Sequence, residues 1–121
     1  MEFLVRFETA LPAGLGAEER ERLRTEERKR AGELRRAGLL VKLWRVPGTR
    51  GGIGLWEARD ATELHDALAS LPTFPWMTAT VEPLATHPQE AQLQAARAQE
   101  AQVQRTGRPG TDDDPEEESH A

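Results

Sequence analysis

In a chain without cysteine, the residue with the greatest chemical reach is Glu27. At about 100° per residue, a helix through Leu23, Ala31 and Leu34 carries those side chains as one apolar stripe, and Glu27 falls in its middle. A carboxylate turned inward is poorly hydrated and a stronger base than one in water, which suits proton transfer in a cleft between a helix and a sheet. The same position also suits a structural ion pair with Arg20, Arg24 or Arg30, or with Arg45 on a neighbouring strand. Arg45, ending Leu43-Trp44-Arg45, can take an anionic substrate bidentately or neutralise Glu27, and the two roles are compatible. Of the three histidines, His65 beside Asp66 reads as solvated and His120 lies in a polar run; His87 is the remaining candidate for proton transfer.

No histidine spacing matches a metal motif, and the chain has no Gly-x-Gly-x-x-Gly, phosphate loop or Gly-x-Ser-x-Gly elbow. Neither a metal nor a cofactor is expected, which leaves cofactor-free chemistry or simple binding.

These side chains need elements to position them. Residues 2–9 alternate, with Phe3, Val5 and Phe7 on one side, and predict a half-buried strand. Residues 17–37 predict a long helix ending at Gly38. Residues 39–46 and 53–58 read as strands joined by a glycine-framed hairpin. Asp60 and Glu63 resemble a capping pair opening a second helix with a stripe of Leu64, Leu68 and Leu71. Pro72 and Pro75 stop it, and residues 77–84 supply the last strand. The order βαββαβ predicts an α+β, ferredoxin-like antiparallel sheet with both helices on one face. If Phe3, Val5, Phe7, Leu39, Val41 and Leu43 face the helices, then Leu4, Leu40, Trp44, Val46 and Trp56 point away from them. An apolar outer face of that size predicts a homo-oligomer packed sheet to sheet.

At 121 residues the chain is sized for one domain, taken as residues 1–90. Residues 91–121 are expected to form a polar tail, marginally helical over 89–105 and disordered through the acidic run 112–118. Residues 88–121 hold eight acids and three bases, so residues 1–87 hold 13 of each and are neutral. A neutral body argues against nucleic-acid binding, and the Glu-interleaved arginines from Arg20 to Arg36 read as a salt-bridged helix face. The N-terminus lacks a signal-peptide pattern and no apolar run reaches membrane-spanning length, so a cytoplasmic protein is expected.

Several segments together resemble the muconolactone delta-isomerase family. They are Leu11-Pro12, Glu26-Glu27-Arg28, Gly38, Leu43-Trp44-Arg45, Gly48, Leu71-Pro72-Thr73-Phe74-Pro75-Trp76-Met77 and His87-Pro88, in family order over residues 1–90. The resemblance implies a dimeric α+β barrel within a larger homo-oligomer. It also implies isomerisation of muconolactone to 3-oxoadipate enol-lactone in the β-ketoadipate pathway of aromatic catabolism. By the same resemblance Glu27 moves the ring proton, Arg45 or Arg24 holds the substrate carboxylate, and Trp44, Phe74, Trp76 and Met77 exclude water. The family commonly has histidines where this chain has Lys42 and Thr49, and polar or aromatic residues where it has Arg50 and Gly52, so the pocket is altered. The alternative reading is a non-catalytic ligand-binding or oligomerising protein on the same fold. A monooxygenase-like activity is a third reading, distinguished by oxygen uptake.

Overall fold

The structure is a computed structural model and describes residues 1–107; the acidic run and His120 lie outside the described residues. Strand β1 (Glu2–Thr9) leads to helix α1 (Ala17–Arg36), the hairpin of β2 (Leu40–Arg45) and β3 (Gly52–Glu57), helix α2 (Ala61–Ala69) and strand β4 (Met77–Leu84). Helix α3 (Pro88–Gly107) follows. There are two compact units, one of Met1–Ala85 and one beginning at Thr86. Among the described residues no helix is long and apolar enough to cross a membrane.

Helix α1 stops where the chain supplies a residue free to turn left-handed. Gly38 sits at φ +82°, its N–H donates to the Arg35 carbonyl and that of Leu39 to the Leu34 carbonyl, each at 3.0 Å. These two bonds satisfy carbonyls that the helix end would leave orphaned, and they turn Leu39 back toward the core beside Leu34. The outer face of α1 is salt-bridged as expected, through Glu19 with Arg22, Glu21 with Arg24 and Arg28, and Arg30 with Glu33. The Arg30 hydrogen bond is the main reason the Glu33 carboxyl titrates below its usual range. Helix α2 opens on Asp60, whose carboxylate accepts the Glu63 N–H at 2.9 Å, while Glu63 reaches back to the Arg59 N–H at 2.7 Å.

The sheet is antiparallel throughout, ordered β2-β3-β1-β4. Helices α1 and α2 share one face of it, where Leu34, Leu64, Ala67 and Leu68 pack with Phe3, Val5, Leu40 and Trp56. Two expected outward residues are therefore inward, since Leu40 and Trp56 are each only 4 % exposed. Trp56 faces inward because it pairs with Phe3 in the regular β1–β3 register, and Leu40 because of an irregularity in β2. Leu40 pairs with Trp56 and Lys42 with Leu55, so two steps of β2 oppose one step of β3 and Val41 is the extra residue. The slip turns Leu40 inward and leaves Val41 exposed, whereas Leu43 beyond it keeps its expected side. Trp44 does point to the open face, alongside Leu4, Ile53 and Leu55.

Strand β3 makes room for the rings of Phe7 on β1 and of its own Trp56 by omitting side chains. Gly52, Gly54 and Trp56 all face the helices, and a Cβ on Gly54 would stand 2.8 Å from the Trp56 indole nitrogen. A Cβ on Gly52 would meet the Phe7 ring at 2.7 Å and the Trp44 carbonyl at 2.8 Å. The backbone oxygen cannot move without breaking the hairpin, so Gly52→Ala is expected to cost about 1–3 kcal/mol, as overpacking does. A denaturant titration in which its midpoint matches the parent's would contradict this packing.

Candidate active site

The first strand, the first helix and the turn before the last strand converge on one cleft, of about 530 Å³. Glu27 lies in it, half-buried on the inner side of α1. Its Oε1 accepts two hydrogen bonds from Thr73, from the backbone N–H at 3.1 Å and from the hydroxyl at 2.9 Å. Its Oε2 has no hydrogen bond or ion pair among the described residues. One oxygen is thus fixed and the other is free to meet a ligand.

Thr73 can hold Glu27 because the proline-rich segment folds into consecutive tight turns. The Phe74 N–H donates to the Leu71 carbonyl and the Trp76 N–H to the Thr73 carbonyl, forming a 3-10 turn over Phe74–Trp76. Thr73 is left 6 % exposed, the one buried polar residue of the unit, with its hydroxyl satisfied by Glu27. The Trp76 carbonyl accepts the Ala10 N–H at 3.0 Å and ties this segment to the end of β1.

Four arginines line the cleft with Glu27: Arg20, Arg24, Arg28 and Arg50. Arg20 is committed to structure, donating to the Pro12 carbonyl at 2.7 Å and the Leu15 carbonyl at 3.2 Å. Arg24 and Arg28 approach Glu21 at 4.0 and 3.7 Å, and Arg28 also reaches the Thr25 hydroxyl at 3.4 Å. Arg50 has no ion pair or side-chain hydrogen bond among the described residues. Phe7 and Leu11 give the cleft an apolar wall. One carboxylate among four guanidinium groups makes a site whose field favours an anion.

Glu27 and Arg24 are thus brought together, and Glu27 pairs with none of the arginines named as its ion-pair partners. Arg45 and Trp44 line a neighbouring, smaller cleft of about 290 Å³ that shares Phe7 and Arg50 with the first. Phe74 and Met77 pack against the core, with the Phe74 ring edge-on to His65 at 5.9 Å. Trp76 is half-buried and meets the cleft only through the backbone bond to Ala10. His87 belongs to the second unit, where its Nδ1 accepts the Gln89 N–H at 3.0 Å at the start of α3. Sequence reasoning missed Thr73 as a partner, although it is the only hydrogen-bonding side chain in the motif Leu71–Met77 apart from the Trp76 indole. The resemblance put Arg50 among the altered pocket positions, but nothing in the spacing of a hairpin loop shows that it lines the same cleft as Glu27.

The family model for muconolactone delta-isomerase matches residues 1–90. A muconolactone delta-isomerase of Pseudomonas aeruginosa is 35% identical over 88 residues, covering 73% of this chain and 92% of the relative. That of Rhodococcus opacus is 34% identical over 85 residues, covering 70% of this chain and 91% of the relative. A crystal structure of muconolactone isomerase superposes with a TM-score of 0.68 at 32% identity, over 73% of this chain and 92% of that one. A family match across three quarters of the chain, carried by the unit that builds the cleft, shows that this chain belongs to the muconolactone delta-isomerase family.

Proposed function

We propose that the protein is an isomerase that moves a proton on a small anionic lactone, converting muconolactone to 3-oxoadipate enol-lactone or acting on a closely related lactone in aromatic catabolism. The observation that carries this reading is the carboxylate of Glu27, anchored through one oxygen by Thr73 and open at the other, in a cleft lined by arginines. In the reaction Glu27 takes the ring proton γ to the lactone carbonyl. The electron pair of that C–H bond delocalises through the ring double bond into the carbonyl, and the same proton returns to the α carbon. The double bond ends one position along the ring, with no change of oxidation state. Negative charge builds on the carbonyl oxygen in between, and the guanidinium groups of Arg24 and Arg28 stabilise it. A single base serves both transfers, so the reaction needs no second proton carrier and His87 is given no step.

Phe7 and Leu11 limit water around the reacting ring, the role the resemblance gave to Trp44, Phe74, Trp76 and Met77. The latter three act one layer back, by shaping the turn that presents Thr73. Two copies pack through their open sheet faces as a dimeric α+β barrel of a cytoplasmic homo-oligomer. The half-buried Leu4, Ile53 and Leu55 and the 44% exposed Trp44 support that packing. Sedimentation at micromolar concentration is expected to give a mass above that of one chain, and a monomer would remove the assembly.

The activity is tested by incubating the protein with muconolactone in deuterated water and following the product by proton NMR. Conversion faster than buffer, with partial deuterium exchange at the α carbon, is expected. A rate no better than buffer across several lactones would favour a non-catalytic protein on this fold.

A further inference from the structure

Resting on the isomerase reading, we infer that Arg50, in the loop joining β2 to β3, is the residue that selects for a carboxylate-bearing lactone. Three of the four cleft arginines have protein partners, whereas Arg50 has none among the described residues. An unpaired guanidinium beside an open carboxylate is the group an incoming anion meets without first displacing an internal contact. Its position is also prepared before binding. The Thr49 hydroxyl donates to the Val46 carbonyl at 3.0 Å and accepts the Gly51 N–H at 3.0 Å, bracketing Arg50 from both sides. The Val46 N–H donates to the Gly51 carbonyl at 3.1 Å, and Gly48 makes the turn at φ +79°. A Cβ on Gly51 would stand 2.7 Å from the Phe7 carbonyl, so the loop lies directly against β1 at the cleft wall. The backbone that carries Arg50 is therefore fixed, and only its side chain has to order on binding.

Arg50 also lines the adjoining cleft with Arg45, which is likewise unpaired among the described residues. Arg45 does not line the cleft that holds Glu27, whereas Arg50 lines both. The substrate's ring lies against Glu27 and its acidic arm extends toward Arg50.

The test compares the full chain with Arg50→Ala, Arg50→Lys and Arg45→Ala, using muconolactone and its uncharged methyl ester. Arg50→Ala is expected to raise KM for muconolactone about tenfold or more, the scale of a lost charge-assisted hydrogen bond, while kcat stays within about twofold. The ester's KM should barely change, Arg50→Lys should restore part of the loss, and Arg45→Ala should have little effect. An unchanged KM in Arg50→Ala, or an equal loss for acid and ester, would overturn the assignment. Calorimetric titration with muconolactone separates this from the activity itself. A wild-type protein that binds the acid without turning it over, and binds it more weakly as Arg50→Ala, keeps Arg50 and removes the isomerase. If the wild type binds neither compound, both readings fall.

Discussion

Replacing Glu27 by glutamine is expected to lower kcat on muconolactone by about 10²–10⁴, the usual loss when a general base is removed, with little change in KM. The substitution is well suited to the question because it is nearly isosteric. A glutamine carbonyl can still accept from the Thr73 N–H and hydroxyl, so the turn and the helix keep their contact. What disappears is the second oxygen, the one without a partner, replaced by an amide nitrogen with no lone pair to give. Stability should therefore hold while turnover falls. Thermal unfolding measured beside the kinetics distinguishes the two effects. A loss smaller than about tenfold, with an unchanged midpoint, would place the base on another residue and leave Glu27 as a structural partner of Thr73.

Phe3→Ala is expected to have the largest effect on the fold. Phe3 is 2% exposed on an inner strand, paired with Trp56 on one side and Pro83 on the other, beneath both helices. Truncating a fully buried phenylalanine costs about 3–5 kcal/mol, because apolar transfer is lost and a cavity remains that rigid neighbours cannot close. Against a total stability of about 5–15 kcal/mol this leaves little margin. At about 4–8 °C per kcal/mol for a domain of this size, the midpoint should fall by more than about 10 °C. Leu93→Ala, at a position 45% exposed on α3, is the matching control, expected to stay within about 0.5 kcal/mol. Similar midpoints for the two variants would mean that the sheet core does not carry the stability of this unit.

Local pattern alone was enough for the elements and their order. Alternation of Phe3, Val5 and Phe7 marks β1, Gly38 marks the end of α1, and Asp60 with Glu63 marks the start of α2, since each depends on interactions a few residues apart. The same local logic put Glu27 on the inner side of its helix, and the Leu71–Met77 segment with Leu43-Trp44-Arg45 carried the family resemblance. The sidedness of Leu40 was not legible, because a single unpaired residue in β2 reverses the alternation and only pairing with β3 reveals it, and that of Trp56 follows from its pairing with Phe3 across β1. Nor was the purpose of Gly52, which is small because the Phe7 ring of β1 lies over it.

The site divides along the same line. The sequence by itself determined that an inward carboxylate exists, because helical periodicity is a property of neighbours. Only the tertiary structure decided what surrounds it: Thr73 from 46 positions away along the chain as its hydrogen-bond donor, and Arg50 from a hairpin loop at its mouth. Those contacts depend on how α1, the 3-10 turn and the β2–β3 hairpin pack against one sheet, and packing between distant segments leaves no periodic trace in the order of residues.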